Sequence, residues 1–392
     1  MTNDTNGSDD SATPLPAPLP LSAALEEAAH TTAAPSVAAP ALAAPSVAAP
    51  ALVAPAASAH ERSMSLADAS AVAAALRDRI RAAVKGRDDV IDLVLIALLA
   101  DGHVLLEDYP GSGKTLLAKT LGDSIVDDLP NDEIPSFRRI QFTPDLLPSD
   151  VTGVTVFDAN LSQFSFRRGP VFAYVVLADE INRTSPKVQS AMLEAMAEKQ
   201  VTVDNATHKL DDLFFVIATQ NPLDLAGTYP LPVAQLDRFL FKIRMINVSR
   251  EAELDVLLTA RERRGGVPAS LPRVNRGDVV RARHACHEHV AIAQAVHEAL
   301  VDVARALRAD RRVLQGASTR SLVMALPALQ ARAMMHGRDF VAPEDVEALL
   351  PPIFGHRLEL APGVDDPVPV IQECAAPLLE RMARHSLSRS AG

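Results

Sequence analysis

The sequence predicts an α/β fold in which a parallel sheet is flanked by helices and is followed by a smaller, mainly helical part. From residue 65 to about residue 247, short apolar runs alternate with amphipathic helical patterns. Such runs are typical of parallel strands that helices cover on both faces. Beyond that point the strand pattern fades, and apolar residues recur at helical spacing. The chain therefore divides into a tail at 1–64, an α/β core at 65–247 and a helical part at 248–392.

Apolar spacing locates the individual elements. Four runs are predicted to be strands of the sheet: residues 104–107, 174–178, 213–219 and 239–243. Five residues share one face of a helix in the second part: Ile292, Val296, Leu300, Val303 and Leu307. Leu322, Leu326 and Leu329 mark another helix. Pro327 falls inside that helix, where we expect it to cause a kink.

Alanine and proline dominate the tail and predict an extended, mobile and disordered linker. Residues 34–43 (APSVAAPALA) are followed by residues 44–53 (APSVAAPALV), a near-perfect repeat. The regularly spaced prolines remove amide donors and stop helix growth. A proline-rich ligand for a partner domain is the alternative, but no aromatic or basic anchor accompanies the prolines.

Charge and cysteine content indicate a soluble, cytoplasmic protein. The formal net charge of −11 gives no general attraction to nucleic acid or to an anionic membrane. Cys286 and Cys374 lie far apart, which fits a reducing compartment. The N-terminus is acidic, unlike a secretory signal, and the longest apolar stretch, residues 90–100, is too short to span a bilayer. We therefore expect neither membrane insertion nor nucleic-acid binding.

A glycine-rich loop follows the first predicted strand and precedes a helix predicted to begin at Leu116. Strand, loop and helix in this order predict a phosphate-binding loop, because glycines let backbone amides close around phosphates at a helix N-terminus. Lys114 is placed to neutralise the β- and γ-phosphates, and the Thr115 hydroxyl to bind Mg²⁺. Asp108 stands where the motif usually has its first glycine. The predicted nucleotide-binding residues of this segment are Asp108, Tyr109, Pro110, Gly111, Ser112, Gly113, Lys114, Thr115 and Leu116.

Two adjacent acids directly follow the predicted strand at residues 174–178. Because parallel strands end at one edge of the sheet, Asp179 and Glu180 should lie beside the phosphate-binding loop. Asp179 is predicted to hold Mg²⁺ and its waters, and Glu180 to orient and deprotonate the attacking water. The combination predicts an ATP hydrolase whose ligands are ATP and Mg²⁺.

Four longer motifs lie in one order further along the chain. They are QFTPDLLPSD at 141–150, LADEINR at 177–183, FVIATQNP at 215–222 and LPVAQLDRF at 231–239. With these motifs, the chain resembles the MoxR family of AAA+ ATPases from about Ala83 to Leu358. The resemblance implies an AAA+ core with a helical lid domain. It also implies an insert at about residues 149–169 and a hairpin at about residues 200–210, both of which usually face a central pore.

The resemblance also implies roles for single residues. Asn221 would be sensor 1, holding the attacking water or the γ-phosphate. Arg238 would be the arginine finger that reaches the neighbouring subunit's site, and Arg320 the sensor 2 that contacts the γ-phosphate from the lid. Residues 84–87, which include Gly86, would lie against the adenine. An arginine pairs well with phosphoryl oxygens, although a surface salt bridge is the alternative role for each arginine taken alone.

A ring, most simply a homo-hexamer, and a chaperone-like role in maturing or activating client proteins follow from the same resemblance. Family members often act alongside proteins with a von Willebrand factor A domain, and a magnesium-chelatase-like subunit is a near relative. One rival is a ring motor on DNA, but the hairpin at 200–210 carries one lysine and one aspartate, a poor match to phosphates. The other is a nucleotide-gated scaffold with little hydrolysis. It is suggested by Asp108 and by Val233, which stands where the family usually has Glu; Thr319 similarly replaces a Pro.

A histidine-rich stretch is a further candidate ligand set. It comprises His284, Cys286, His287 and His289. Zinc accepts such groups, but no second cluster completes a tetrahedral site, so we favour ordinary histidines near a domain surface.

Overall fold

The computed structural model describes residues 64–107, 111–129, 134–159, 162–221, 227–263 and 265–390, with the backbone alone at 262 and 385–390. The predicted tail at 1–64 lies outside these residues except for Met64. Three residues of the predicted phosphate-binding loop also lie outside them, namely Asp108, Tyr109 and Pro110.

Strands and helices alternate through the first part of the chain, and helices dominate the second. In chain order the strands are β1 Val104–Glu107, β2 Ile125–Val126, β3 Phe137–Gln141, β4 Gly153–Asp158, β5 Gln163–Arg168, β6 Val175–Asp179, β7 Gln200–Val203, β8 Ala206–Lys209, β9 Phe215–Gln220, β10 Phe241–Arg244, β11 Val274–Asn275, β12 Val313–Gln315 and β13 Glu359–Leu360. The helices are α1 Leu66–Ala83, α2 Asp88–Leu99, α3 Lys114–Asp123, α4 Pro148–Thr152, α5 Pro186–Glu198, α6 Val233–Leu236, α7 Arg250–Leu258, α8 Ala260–Arg263, α9 Arg276–His289, α10 Gln294–Ala309, α11 Thr319–Met335, α12 Pro343–Phe354 and α13 Pro367–Ser390. Short 3-10 turns lie at Ile181–Arg183 and Gly355–Arg357.

Five strands form the central sheet in the order β10-β1-β9-β6-β3. All four pairings between neighbours are parallel. β1, β6, β9 and β10 coincide with the four predicted runs, and their starts differ from the predicted ones by at most two residues. The sequence did not predict β3. It forms the edge of the sheet and buries only Ile140, while Arg138 and Arg139 are exposed.

Apolar side chains of the sheet belong to two hydrophobic cores, one on each face of the sheet. Leu177 and Ile217 point into a core that also contains buried residues of α1, α2 and the helices α9 to α13. Val176 and Val216 point into the other, which they share with α5. The first core is continuous across residue 247, the predicted end of the ATPase core. The helical part is therefore packed against the sheet layer by apolar burial, the main favourable term in folding.

His103 fixes the start of β1 against the neighbouring strand. Its Nδ1 accepts a hydrogen bond of 3.1 Å from the Val216 amide, and its Nε2 lies 3.1 Å from the Met196 carbonyl oxygen. Burial lowers the pKa of His103 to about 4, so the imidazole is neutral near pH 7. A neutral ring can donate from Nε2 and accept at Nδ1 at the same time. The residue thus fixes the start of the strand that precedes the predicted phosphate-binding loop.

Two antiparallel hairpins project from the core, at the positions implied by the family resemblance. β4 pairs with β5 within the insert at 149–169, and β7 pairs with β8 within 200–210.

The helices predicted from spacing in the second part are α10 and α11. α10 buries Val296, Leu300, Val303 and Leu307. α11 continues through Pro327. Among the helices that the structure describes, none combines the length and the apolar character needed to cross a membrane.

Candidate active site

The carboxyl ends of four neighbouring strands form one edge of the sheet. Glu107 at the end of β1 lies opposite Gln220 at the end of β9. Gln141 at the end of β3 lies opposite Asp179 at the end of β6, and β9 lies between β1 and β6. The loop after β1, Asn221 after β9 and the acids of β6 therefore meet at this edge. Ligands of open α/β sheets bind there.

The described part of the phosphate-binding loop has the geometry of an anion cradle. Gly111 and Gly113 have φ angles of +90° and +95°, and a Cβ added at either would meet no atom within 4 Å. Positive φ favours glycine. α3 begins at Lys114, two residues earlier than predicted, with Gly113 as its N-cap. The Ser112 hydroxyl is buried and has no hydrogen-bond partner among the described residues. A phosphate in the cradle would supply one, so the residues present fit a nucleotide.

Thr219 joins the two acids at the end of β6. Its hydroxyl donates to Asp179 Oδ1 at 2.6 Å and accepts from the Glu180 amide at 2.8 Å. Glu180 has a φ of +58°, a left-handed conformation that is uncommon for residues other than glycine. Strain of this kind clusters at functional sites, where surrounding contacts maintain it. The bond from the Glu180 amide to Thr219 is one such contact.

Two side chains of the unpredicted strand β3 complete this network. Arg139 donates from Nε and Nη2 to Asp179 Oδ2, at 3.0 and 2.6 Å. Its Nη2 also donates to Gln141 Oε1 at 2.6 Å, and Gln141 Nε2 donates to Glu180 Oε2 at 2.9 Å. The Arg183 Nε lies 3.3 Å from the same Glu180 oxygen. Hydrogen bonds of this kind hold both carboxylates in a fixed orientation.

We expect Thr219→Val to damage both stability and catalysis. Valine has a similar shape but leaves the buried Asp179 oxygen and the Glu180 amide without their shared partner. Each such loss costs about 1–3 kcal/mol, so the free energy of unfolding should fall by about 2–6 kcal/mol. ATP turnover should fall roughly tenfold or more, because the Glu180 carboxylate is no longer held in place. Urea denaturation and a steady-state ATPase assay measure the two effects.

Thr219→Ser is the matched control, since it keeps the hydroxyl and removes only a methyl group. It should retain most of the wild-type turnover. If the valine variant were as active and as stable as the serine variant, the hydroxyl would not be what joins the acids.

The strands on the other side of the edge carry Glu107 and Asn221. The Glu107 carboxylate accepts from Gln220 Nε2 at 2.9 Å and lies 2.9 Å from Lys242 Nζ. Burial disfavours its charge, but Lys242 and Gln220 more than offset that effect, and the pKa of Glu107 lies below its usual value. Asn221 is half-buried and follows β9 directly, between the phosphate-binding loop and the acids. This is the position expected of sensor 1, and its role stays a prediction.

The two predicted arginines lie on either side of Asp237. Arg238 donates from Nη1 to the Ala234 carbonyl at 3.2 Å. Its Nε is buried without a hydrogen-bond partner, and no carboxylate of the described residues pairs with it. Arg320 is exposed, with its Nε 3.9 Å from Asp237 Oδ2. The bonds described for these arginines reach neither Asp179 nor Glu180 of the same chain.

The segment predicted to contact the base packs against the start of α7. A Cβ on Gly86 would clash with Ala252, Lys85 Nζ lies 3.9 Å from an Asp255 carboxylate oxygen, and Arg87 donates to the Ile246 carbonyl. A cavity of about 320 Å³ opens beside α3. Its lining includes Ala83, which lies one residue before the 84–87 segment, and Leu116. No residue of the 84–87 segment itself is among the lining residues of this cavity, and the contact of that segment with the base stays a prediction.

The histidine-rich stretch does not converge on one point. Cys286 is buried in the core, and burial raises the pKa of its thiol to about 12. His287 Nδ1 instead lies 3.2 Å from Gln330 Oε1. Within the described ranges, no three histidine, cysteine, aspartate or glutamate side chains are grouped to hold a metal ion.

Comparison with known families defines the class of protein. Residues 103–241 match the family described as "ATPase family associated with various cellular activities (AAA)", and residues 305–373 match the AAA lid domain. The fold also superposes on the crystal structure of a provisionally assigned ATPase from Cytophaga hutchinsonii, with a TM-score of 0.71 and 34% identity. That match covers 79% of this chain and 95% of the other. The fold is therefore an AAA+ core followed by an AAA lid domain, which confirms the predicted fold class.

Curated relatives narrow the assignment to one family. The chain is 46% identical over 285 residues to the uncharacterized protein YeaC of Bacillus subtilis, covering 73% of this chain and 86% of YeaC. It is 38% identical over 295 residues to Chaperone MoxR1 of Mycobacterium tuberculosis, covering 72% and 74%. It is 32% identical over 326 residues to Protein MoxR of Methylorubrum extorquens, covering 76% and 90%. The chain belongs to the MoxR family of AAA+ ATPases.

Proposed function

We propose that this protein hydrolyses ATP with Mg²⁺ at sites shared between neighbouring subunits of a ring, and that it uses the energy to remodel client proteins. The observation that carries the proposal is the meeting of the glycine cradle with Asp179 and Glu180 at one edge of the sheet. A family assignment by itself would not specify which residues act.

Several side chains of this edge suit the parts of an ATP site. The Gly111–Gly113 backbone would cradle the phosphates, and Lys114 at the start of α3 would neutralise them. The cavity beside Leu116 would receive the nucleoside end. It is rich in cations, which include Arg79, Lys119 and Arg273.

A buried carboxylate and an exposed hydroxyl form a donor set that fits Mg²⁺. Asp179 has a 9% exposed side chain, and Thr115 is exposed at the first turn of α3. Oxygen ligands of this type are what Mg²⁺ prefers. The ion, when bound, offsets negative charge on the phosphoryl oxygens. Thr219 and Arg139 hold the Asp179 carboxylate at the edge of the sheet, where it is available to the ion and its waters.

Glu180 is the proposed general base. Its carboxylate receives a hydrogen bond from Gln141 at 2.9 Å and is 23% exposed, so it is oriented and still accessible to water. It would take the proton of the attacking water as the bond to the γ-phosphorus forms and the bond to the leaving oxygen breaks.

The shared site is suggested by Arg238, a cation that the described part of its own chain does not neutralise. An arginine supplied from a neighbour stabilises charge that develops in phosphoryl transfer. A closed ring, which the family resemblance implies to be a homo-hexamer, gives every site such a neighbour.

The client role is suggested by the relative named Chaperone MoxR1 and by the hairpin β4–β5. Phe157 and Phe164 pack edge to face on this hairpin with ring centroids 5.2 Å apart, and they are 54% and 73% exposed. Exposed apolar patches mark binding surfaces. We propose that the hairpin contacts apolar segments of a client, with a von Willebrand factor A domain protein as a candidate companion.

We expect Arg238→Ala to bind ATP nearly as well as the wild type and to hydrolyse it at least about a hundredfold more slowly, because the arginine stabilises mainly the transition state. Nucleotide binding is measured by calorimetry and turnover by phosphate release. Arg305→Ala, which removes an exposed arginine of α10, is the matched control and should keep full activity. An Arg238→Ala protein with wild-type turnover would contradict the shared site.

A further inference from the structure

A buried arginine of the lid domain forms hydrogen bonds with residues 237–240, the segment that contains Arg238. Arg357 ends the turn Gly355–Arg357, and its side chain is 3% exposed. Its Nε donates to Asp237 Oδ1 at 2.7 Å, and its Nη2 donates to the Phe239 carbonyl at 2.7 Å. Its Nη1 donates to the Leu240 carbonyl at 3.2 Å. One guanidinium thus binds three of the four residues from 237 to 240.

His356, the residue before Arg357, makes a second contact between the lid and this segment. The His356 ring is buried, and its Nε2 lies 3.1 Å from the Phe239 carbonyl oxygen. Burial, followed by the charge of Arg357, holds the pKa of His356 well below its usual value. The ring is therefore neutral near pH 7 and can donate to that carbonyl.

The chain around Arg238, from residue 231 to residue 239, buries few apolar side chains. α6 buries no residue, and between Leu231 and Phe239 every residue is at least partly exposed. A helix of this length has no stability in isolation. Its position, and that of Arg238, therefore depends on Leu231, Phe239 and the half-buried Leu236, which pack in the second core, and on the polar contacts of Asp237.

Asp237 is a junction between two lid arginines. Arg357 holds its Oδ1 from the buried side at 2.7 Å. Arg320 approaches its Oδ2 from the exposed side at 3.9 Å. Arg238 is the next residue along the chain. A shift of the lid therefore reaches Arg238 from both sides in the chain, through the Asp237 carboxylate and through the Phe239 and Leu240 carbonyls that Arg357 also binds.

We propose that Arg357 is a positioning residue for phosphoryl transfer: through Asp237 it couples the lid to Arg238 and holds that arginine for the neighbouring subunit's site. This inference rests on the proposed function, because it needs Arg238 to act on a neighbour. It predicts that loss of Arg357 slows hydrolysis at the neighbouring subunit's site and leaves ATP binding by the mutated subunit intact.

Two variants of the full-length protein test the coupling. Arg357→Gln removes the fork of donors, and Asp237→Asn keeps an oxygen acceptor but weakens the junction, so it is the milder change if the first fails to fold. Both should bind ATP within about twofold of the wild type while kcat falls roughly tenfold to a hundredfold, the scale expected when a catalytic group is misplaced. A variant that lost ATP affinity in parallel with kcat would overturn the proposal.

Mixed rings separate positioning from general damage. Arg357→Gln subunits mixed with Lys114→Ala subunits should gain activity above the sum of the two, because the Lys114→Ala subunits supply a well-placed Arg238 to intact sites. Arg357→Gln mixed with Arg238→Ala should gain nothing, since both lack a working arginine.

The reference mixture is Arg238→Ala with Lys114→Ala. If the reference recovers and the Arg357→Gln mixture does not, Arg357 serves only the stability of its own subunit and the inference is wrong. If the reference itself fails to recover, the shared site fails and the inference falls with it.

Discussion

Lys114→Ala is expected to abolish nucleotide binding. Lys114 is the first residue of α3, directly after the glycine cradle, and is the cation predicted to meet the β- and γ-phosphates. Its ammonium group would make charge-assisted bonds that the backbone amides of the loop do not replace. We expect the affinity for Mg·ATP to fall at least about a hundredfold, an effect of the size found when a charged partner of a buried ligand is lost. Isothermal titration calorimetry measures the loss.

Lys209→Ala is the matched control. Lys209 is an exposed lysine of β8, in the hairpin that precedes β9 and hence lies on the side of the sheet away from the carboxyl edge. It should bind ATP like the wild type. Equal ATP affinity for Lys114→Ala and Lys209→Ala would show that the segment after β1 is not a phosphate-binding loop.

Glu180→Gln is expected to keep ATP binding and to lose hydrolysis. Glutamine preserves the size of the side chain but cannot take a proton from water. Turnover should fall by roughly two orders of magnitude or more, the contribution expected of a general base. Phosphate release under saturating Mg·ATP measures the loss, and calorimetry at equilibrium checks that binding persists.

Glu194→Gln makes the same chemical change at an exposed position of α5 and should be silent. Unchanged turnover in Glu180→Gln would remove Glu180 from the role of base. A Glu180→Gln ring that holds ATP without hydrolysing it should also retain its client, so proteins that co-purify with it and not with Lys114→Ala would identify that client.

Much of this architecture could be predicted from the sequence, because a strand that is buried on both faces of a sheet is an unbroken run of apolar residues. β1, β6, β9 and β10 were predicted for that reason, and their order put the loop, Asn221 and the two acids at one edge. Glycine at a turn between a strand and a helix gives an equally local signal, because few residues other than glycine adopt the positive φ that the turn requires.

β3 escaped prediction for the opposite reason. It is an edge strand, and its exposed Arg138 and Arg139 hide the single buried Ile140 from any apolar pattern. Arg139 and Gln141, which orient the two acids, were therefore missed as site residues. Thr219 was quoted within a motif, but its hydroxyl could be assigned only when the register of β6 and β9 was known.

Contacts between the sheet layer and the lid also could not be predicted from the sequence. Arg357 lies 120 residues beyond Asp237, and no local pattern pairs two residues so far apart. Lone arginines carry no signal of their partner. The Arg357 contacts became visible only in three dimensions, and they show that the residues on both sides of Arg238 are bonded to the lid.

If each ATP site is completed by a neighbouring subunit, activity should return when two inactive variants are combined in one ring. Arg238→Ala and Lys114→Ala are each expected to be inactive alone. In a randomly mixed ring of equal parts, roughly a quarter of the interfaces pair an intact Lys114 with an intact Arg238 from the next subunit. We expect ATPase activity to appear on mixing, to rise with subunit exchange and to be highest near equal amounts of the two variants. Mixed rings, shown by size and composition to contain both variants, that stay as inactive as either variant alone would contradict it.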